Sequence, residues 1–157
     1  MAPRPTFEHC GQPVRAAGVL LCTEVNGERW YLLRKAKGAW QDMGGKTEPS
    51  DTSPVDTAIR ETVEETNGHL FSPTDSFDQC HSHLEDIIQR GKGCSIRYNK
   101  RCKYLLFICH VQSIKHLPMG RFGKCESTDG MDHYYKWFNR LPRLHYRLRS
   151  LKIHRDV

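Results

Sequence analysis

The six consecutive residues 60–65 carry the side chains of this sequence that are best suited to take part in chemistry. They read RETVEE, so three carboxylates lie within about one helical turn, and Arg60 precedes Glu64 by four residues. Two like charges about 6 Å apart repel by roughly 3 kcal/mol at an effective dielectric constant of 20. A solvated acidic face relieves this repulsion by letting its side chains splay, whereas a cation among the carboxylates removes it. The spacing therefore leaves two interpretations, a solvated face or a cation site.

The residues just before this segment favour the cation site. Gly44 and Gly45 allow the backbone to bend tightly and to present its carbonyl or amide groups to a ligand. Lys46, Glu48 and Asp51 follow them and lead directly into the segment. Carbonyl oxygens together with a carboxylate cluster are what hard divalent cations such as Mg²⁺ require.

A well-delimited helix positions the three glutamates. Ser53 is a good N-cap, Pro54 suits the first helical position, and Asp56 is placed to return a hydrogen bond to the cap as in a capping box. Asn67-Gly68 predicts a left-handed exit. At 100° per residue, one side of this helix carries the expected core stripe of Val55, Ile59, Thr62, Val63 and Thr66. The glutamates fall on the other side, within about 100° of one another, and Arg60 is placed to brace Glu64.

The rest of the pattern alternates strands with helices. We expect strands over residues 14–22 and 29–35, joined by a hairpin at Asn26-Gly27, and a loop over residues 37–46. Residues 102–111 predict a buried strand, residues 134–138 another strand, and further strands are expected within residues 94–104. We expect a short helix over residues 83–90, a long loop over residues 113–133, and a closing helix over residues 140–154. The closing helix is predicted from the spacing of Leu141, Leu144, Leu148 and Leu151.

The segment from Gly45 to Gly68 resembles the signature box of the Nudix (MutT-like) hydrolases, whose pattern is G-x5-E-x7-R-E-U-x-E-E-x-G-U with U apolar. Gly45 opens it, Asp51 stands where the early Glu is expected, and residues 60–65 match the core. WQDMGGK, RAAGVLLC and YYKWFNRLPRL resemble further family segments, so the likeness runs from about residue 14 to residue 151. The chain departs from the pattern at Asp51, Met43 and Thr62. In addition, eight rather than seven residues separate Asp51 from Arg60, and one extra residue precedes Gly68.

This resemblance implies an α/β fold, a Nudix-type α/β/α sandwich in which a mixed, curved sheet lies between helices. It implies a pyrophosphohydrolase dependent on Mg²⁺ or Mn²⁺, in which Glu61 and Glu65 hold the metal with help from the Gly45 carbonyl. Glu64 is then a further ligand or the base that deprotonates water, and Arg60 orients the glutamates. Asp132 is expected to supply a late metal ligand. Glu126 and Asp129 are its rivals, and a solvated loop acid is the alternative for all three.

The substrate is expected to be a nucleotide or nucleotide derivative. The expected substrate-binding residues near the glycine turn are Arg34, Lys46, Trp40 and Glu48. Arg34 and Lys46 would bind phosphates unless they are surface charges, and Trp40 would stack on a base unless it packs in the loop. Free nucleotides and an mRNA 5′ cap both remain possible, and decapping would use RNA binding along the closing helix. Its basic stripe comprises Arg140, Arg143, Arg147, Arg149, Lys152 and Arg155, joined by Lys100, Arg101 and Lys103. The alternative functional class is a Nudix domain that binds a nucleotide or RNA as a regulator without hydrolysing it.

Composition is consistent with this interpretation. The 157 residues are 38% hydrophobic and 27% charged, as expected for one globular domain spanning residues 1–157 with a mobile end over residues 1–12. Seven scattered cysteines without a CxxC pair predict reduced thiols and hence a cytoplasmic or nuclear protein. No apolar run approaches the roughly 18 residues of a membrane helix. The net charge of +6 favours anionic partners.

Overall fold

The computed structural model of the chain describes residues 2–36, 38–72, 74–90, 93–111 and 134–153. Its centre is a mixed sheet of seven strands with the path β5-β4-β3-β8-β7, to which β6 is added beside β3 and β9 beside β4. The strands of this sheet are β3 (Ala16–Val25), β4 (Glu28–Ala36), β5 (Ala39–Gln41), β6 (Met43–Lys46), β7 (Cys94–Asn99), β8 (Tyr104–His110) and β9 (Tyr134–Phe138). The helices are α1 (Pro54–Glu65), α2 (Phe77–Arg90) and the single turn α3 (Tyr146–Arg149).

Strand β3 lies at the middle of the sheet and is parallel to β8, with Ala16 to Cys22 opposite Tyr104 to His110. Its other edge is shared, since β6 pairs with its first half and β4 with its second half. The predicted hairpin between β3 and β4 is confirmed. Asn26 and Gly27 have φ angles of 52° and 80°, as a two-residue turn with a left-handed backbone requires.

Alternate residues of β3 enter two separate cores, because successive side chains of a strand point to opposite faces. Ala17, Val19 and Leu21 belong to the core cluster that includes residues of α1 and α2. Leu20 and Cys22 belong to the cluster that includes Leu148 and Leu151 near the C-terminus. Helical segments therefore flank both faces of a mixed sheet, which confirms the predicted α/β sandwich.

Three sequence expectations differ from the structure. Residues 37–46 were expected to form a loop, but they contain β5 and β6, and α2 begins six residues earlier than the expected short helix. Strand β1 (Phe7–His9) pairs with β2 (Gln12–Val14), and the mobility expected for residues 1–12 stays a prediction. The predicted closing helix is wrong over most of its length, since among its described residues only Tyr146–Arg149 forms an α-helix.

The closing segment fails to form a long helix because its backbone groups are used by β5. Trp40 donates its N–H to the Arg143 carbonyl at 3.1 Å and accepts the His145 N–H at 2.8 Å. Pro142 also lacks the N–H that a helix interior needs. Leu148 and Leu151 are still buried, so the leucine pattern correctly predicted burial but not a continuous helix.

In the part of the chain that the structure describes, no helix has both the length and the apolar character that a membrane crossing requires. The predicted loop over residues 113–133 lies outside the described residues.

Candidate active site

Helix α1 begins at the predicted cap and ends at the predicted exit. Ser53 has an extended backbone, and its Oγ accepts the Asp56 N–H at 3.2 Å. The Asp56 carboxylate bonds Thr52, one residue before the cap, with its Oδ2 2.9 Å from the Thr52 nitrogen. The return bond of the expected capping box is therefore shifted by one residue. At the other end Asn67 and Gly68 have φ angles of 54° and 73°, and the helix stops directly after Glu65.

The Arg60 guanidinium is the centre of the acidic cluster. Its Nε and Nη2 lie 2.9 and 3.0 Å from the two carboxylate oxygens of Asp51, and Nη2 also donates to the Lys46 carbonyl at 2.9 Å. Nη1 faces three further carboxylates, those of Glu61 at 3.0 Å, Glu48 at 3.2 Å and Glu64 at 3.5 Å. Burial lowers the pKa of Arg60, but these carboxylates outweigh it and raise the pKa, so the guanidinium stays charged. One cation thus orients four acids.

Asp51 is a buried anchor for this cation. It is 7% exposed, and besides Arg60 it accepts the Glu48 N–H at 2.9 Å and the Thr57 hydroxyl at 2.8 Å. Burial alone would raise the pKa of the Asp51 carboxyl, but the bonds from Arg60, Glu48 and Thr57 hold it below its usual value. Asp51 therefore contacts Arg60 directly, despite the shorter side chain and the extra residue that separate this chain from the family pattern.

Glu61 lies against the backbone of Gly45. A Cβ atom added at Gly45 would lie 2.6 Å from the Glu61 carboxyl carbon, so only glycine leaves room for this carboxylate. Strand β6 carries Gly45 beside β3, with Gly45 opposite Ala17, and α1 packs over both strands. Burial raises the pKa of the Glu61 carboxyl, and Arg60 opposes that rise. The structure thus brings together the predicted carboxylate and the predicted carbonyl residue.

Glu65 is the most deeply placed of the three glutamates. Its Oε1 accepts from Arg34 Nη2 at 3.0 Å, while Oε2 is buried and has no hydrogen-bond partner among the described residues. Burial raises the pKa of this carboxyl to about 8, with Arg34 opposing the shift and Glu61 adding to it. A buried acceptor without a donor is costly. A cation would satisfy it, so this oxygen fits a metal ligand.

Glu64 differs from its neighbours because its side chain is 51% exposed. Among the described residues, no group of three His, Cys, Asp or Glu side chains is arranged to hold a metal ion. Glu61 and Glu64 contact Arg60, and Glu65 contacts Arg34 instead. Metal ligation by these glutamates and by Gly45 stays a prediction, as does the catalytic role of Glu64. Asp132 and its rivals Glu126 and Asp129 lie outside the described residues.

The predicted substrate-binding residues lie in different environments. Arg34 is 7% exposed and contacts Glu65, so its position favours a role in orienting that carboxylate. Lys46 is exposed and Glu48 is half-exposed beside Arg60, so both are accessible. Trp40 packs edge-on against Phe138, with ring centroids 4.7 Å apart, next to the core cluster that includes Leu148. Substrate contacts by these four residues stay predictions.

Sequence reasoning missed a buried network behind the glycine pair. Asp42 is fully buried, and its Oδ1 accepts from Arg147 Nε at 3.0 Å and Nη2 at 2.8 Å. The Tyr104 hydroxyl bonds the Asp42 Oδ2, and the Arg147 guanidinium lies 4.7 Å above the Tyr104 ring. A Cβ atom at Gly44 would lie 2.0 Å from the Tyr104 hydroxyl. The same atom would lie 2.7 Å from the Gly18 Cα, so both this tyrosine and the β3 backbone require glycine at position 44.

The network corrects the predicted basic stripe. Arg147 was expected on the exposed side of a closing helix, but its side chain is only 14% exposed and is committed to Asp42. No local pattern signals this pairing, because Asp42 and Arg147 are 105 residues apart in the chain. Arg155 lies outside the described residues.

The chain is similar to known proteins at the level of one family model and of several solved structures. A family model described as NUDIX domain matches residues 12–138. Among solved structures, the chain is similar to a C. elegans Ap4A hydrolase, with 18% sequence identity over 79% of this chain and 78% of that one, and a TM-score of 0.43. It is also similar to the NUDIX domain of Shewanella oneidensis NrtR complexed with ADP ribose, with 13% identity over 92% and 86% of the two chains and a TM-score of 0.41. No curated protein matches the chain.

Proposed function

The chain belongs to the Nudix family of hydrolases, and we propose that it is a divalent-metal-dependent pyrophosphatase acting on a nucleoside-diphosphate-linked substrate. The reaction would be hydrolysis of a diphosphate bond by water. Supporting this proposal, Glu61, Glu64 and Glu65 all belong to α1, where Arg60 contacts the first two and Arg34 contacts the third.

The observation that carries the proposal is the environment of Glu65. Its Oε2 is buried and has no hydrogen-bond partner among the described residues. The neighbouring Glu61 carboxylate lies against the Gly45 backbone. We propose that Glu61, Glu65 and the Gly45 carbonyl hold Mg²⁺ or Mn²⁺, because hard cations prefer such oxygens. A bound ion would neutralise phosphate oxygens and lower the pKa of an attacking water.

The residues of the chain have separate tasks in this proposal. Arg60 holds Glu61 and Glu64 in place, and Asp51 holds Arg60. Arg34 orients Glu65 through Oε1 and leaves Oε2 for the ligand. Glu64 is half-exposed and so accessible to solvent, which suits either a further ligand or the base that takes a proton from water.

The test is product release from a panel of dinucleoside polyphosphates, nucleotide sugars and capped RNA, with and without Mn²⁺. We expect turnover that needs the ion and falls by roughly a hundredfold or more in Glu64→Gln, as loss of a general base does. Circular dichroism and thermal melting should show that this variant stays folded. Glu85→Gln, which removes a similarly exposed glutamate from α2, is the matched control and should keep full activity.

A second candidate is a regulatory Nudix domain that binds a nucleotide or RNA without cleaving it. It is favoured by the present arrangement of the glutamates, because among the described residues no three His, Cys, Asp or Glu side chains are arranged to hold a metal ion. Metal-dependent binding of a nucleotide with no product from any substrate would support this candidate and exclude the hydrolase.

Two finer points belong to the same proposal. The proposed substrate is a free nucleotide derivative or an mRNA 5′ cap. A cytoplasmic or nuclear location is supported by free cysteines at positions 10, 22, 80, 94, 102 and 109, which are typical of reducing compartments.

A further inference from the structure

Two neighbouring cavities lie beside the proposed active site. The inner cavity, of about 200 Å³, is lined by Gly45 and Lys46 of β6 together with Arg4, Arg15, His145 and Tyr146, among others. The outer cavity, of about 540 Å³, is lined by Lys100, Arg101, Tyr146 and Arg149, among others. Tyr146 and Cys102 line both cavities, so the two form one continuous surface. That surface starts at Gly45, whose backbone contacts Glu61 on the other side.

The continuous surface is strongly basic. No aspartate or glutamate lines either cavity within the described chain. Lys100, Arg101 and Arg149 are exposed, and none of them forms an ion pair with a described residue. Arg149 donates its Nε to the Leu144 carbonyl, which fixes the side chain without neutralising its charge. Arg147 differs, since Asp42 cancels its charge. The positive potential of the outer cavity therefore comes from three cations that are available to an anionic ligand.

An exposed aromatic ring stands where the two cavities meet. Tyr146 is 62% exposed, which makes it the most exposed large hydrophobic residue that the structure describes. Its ring lies 4.3 Å from the His145 ring, measured between centroids, and does not enter either core cluster. Aromatic side chains between cations are the arrangement by which proteins bind single-stranded nucleic acids, because bases stack on the ring while cations follow the phosphates.

We propose that this surface binds the first nucleotides of a single-stranded oligonucleotide whose 5′ diphosphate linkage lies at the glutamate cluster. The substrate class is then a diphosphate-linked oligonucleotide and not a free dinucleotide. One base stacks on Tyr146, and Lys100, Arg101 and Arg149 contact the phosphates that follow it. This inference rests on the proposed hydrolase function, but it uses residues different from those of the catalytic cluster.

The experiment compares two substrates that share one scissile bond. The short substrate is P1,P2-diadenosine diphosphate, and the long substrate carries the same linkage with one adenosine extended by eight nucleotides at its 3′ end, prepared as both RNA and DNA. We expect kcat/KM to be at least tenfold higher for the long substrate, through a lower KM. Lys100→Gln combined with Arg101→Gln and Arg149→Gln should abolish that preference and leave the short substrate unchanged.

Two further measurements separate the contribution of the Tyr146 ring from that of the three cations. Tyr146→Ala should raise KM for the long substrate by roughly tenfold, whereas Tyr146→Phe should retain wild-type KM because the ring is preserved. The triple variant should reduce the slope of log KM against log salt concentration by about 2, as expected for three lost phosphate contacts on a single strand. Arg90→Gln, which removes an exposed arginine from α2, is the matched control and should affect neither substrate.

Equal kcat/KM for the two substrates, or an equal loss on both in the triple variant, would overturn the inference. If neither substrate is cleaved, fluorescence anisotropy with a labelled 5′-phosphorylated nine-nucleotide strand tests whether the surface binds an oligonucleotide. Binding that the triple variant loses would sustain the oligonucleotide surface while the hydrolase proposal fails, and no binding by the wild type would reject the surface as well.

Discussion

The guanidinium of Arg60 holds the carboxylate of Asp51 through two hydrogen bonds, Nε to Oδ1 at 2.9 Å and Nη2 to Oδ2 at 3.0 Å. Asp51 belongs to the loop before α1, whereas Arg60 belongs to the second turn of the helix. The pair therefore ties the helix to the loop that follows Gly45 and sets the positions of the glutamates around Arg60. Its effect on activity and stability can be measured directly.

Replacing Asp51 should impair both stability and catalysis. We expect Asp51→Ala to lower the free energy of unfolding by about 2–3 kcal/mol, because it removes one partner of a buried ion pair while Arg60 keeps its other carboxylates. We expect kcat to fall between roughly ten- and a hundredfold, since the glutamates lose their fixed positions. Denaturant unfolding and steady-state kinetics measure the two effects. Asp78→Asn, at an exposed position in α2, is the control, and an equally small effect at both sites would contradict the role given to Asp51.

Glu65 should make stability depend on pH when no divalent ion is present. Its pKa is raised from 4.5 to about 8 in the folded protein, so the folded state binds the proton more tightly than the unfolded state. The stabilising contribution is complete below pH 4.5 and is lost as pH rises towards 8, by about 1.4 kcal/mol per pKa unit. Unfolding of the wild type and Glu65→Gln in EDTA should therefore give free-energy curves that lie close together near pH 4.5 and diverge as pH rises, with the wild type losing stability relative to the neutral variant. Parallel curves would show that Glu65 does not titrate in this range.

Gly44 should not tolerate a methyl group. In Gly44→Ala the new Cβ would lie 2.0 Å from the Tyr104 hydroxyl and 2.7 Å from the Gly18 Cα, and such overpacking costs about 1–3 kcal/mol. Thermal unfolding of Gly44→Ala, Tyr104→Phe and the double variant forms a cycle. We expect the double variant to be more stable than the sum of the single effects, because removing the hydroxyl relieves the closest contact. Simple additivity would mean that the tyrosine is not what restricts this position.

Asp42 should contribute far more to the free energy of unfolding than a surface acid with a similar ion pair. The Asp42–Arg147 pair, at 2.8 Å, has side chains that are 0% and 14% exposed, whereas Asp86–Arg90, at 2.9 Å, is 53% and 75% exposed. Asp42→Ala leaves Arg147 as a buried cation without its partner and should cost about 3–5 kcal/mol. Asp86→Ala should cost less than about 1 kcal/mol. Similar losses in urea unfolding would contradict the importance assigned to burial.

Local features of the sequence were sufficient to predict the elements that build the site. The cap at Ser53, the exit at Asn67-Gly68 and the turn at Asn26-Gly27 all lie where expected, because each depends on residues a few positions apart. The face of α1 that carries the glutamates also follows from the helical repeat alone. The strands over residues 16–25, 28–36 and 104–110 were recognisable from their apolar runs.

The tertiary structure alone decided which charges are available. Arg34 was expected to bind phosphates and Arg147 to lie in an exposed basic stripe, but Glu65 and Asp42, 31 and 105 residues away, pair with them. The predicted closing helix does not form because the backbone groups of Arg143 and His145 hydrogen-bond to Trp40 of β5. Hydrogen bonds and ion pairs between distant segments depend on how the sheet assembles, and no local periodicity records them. Propensity and spacing act over one or two turns of chain, whereas burial and pairing are properties of the folded whole.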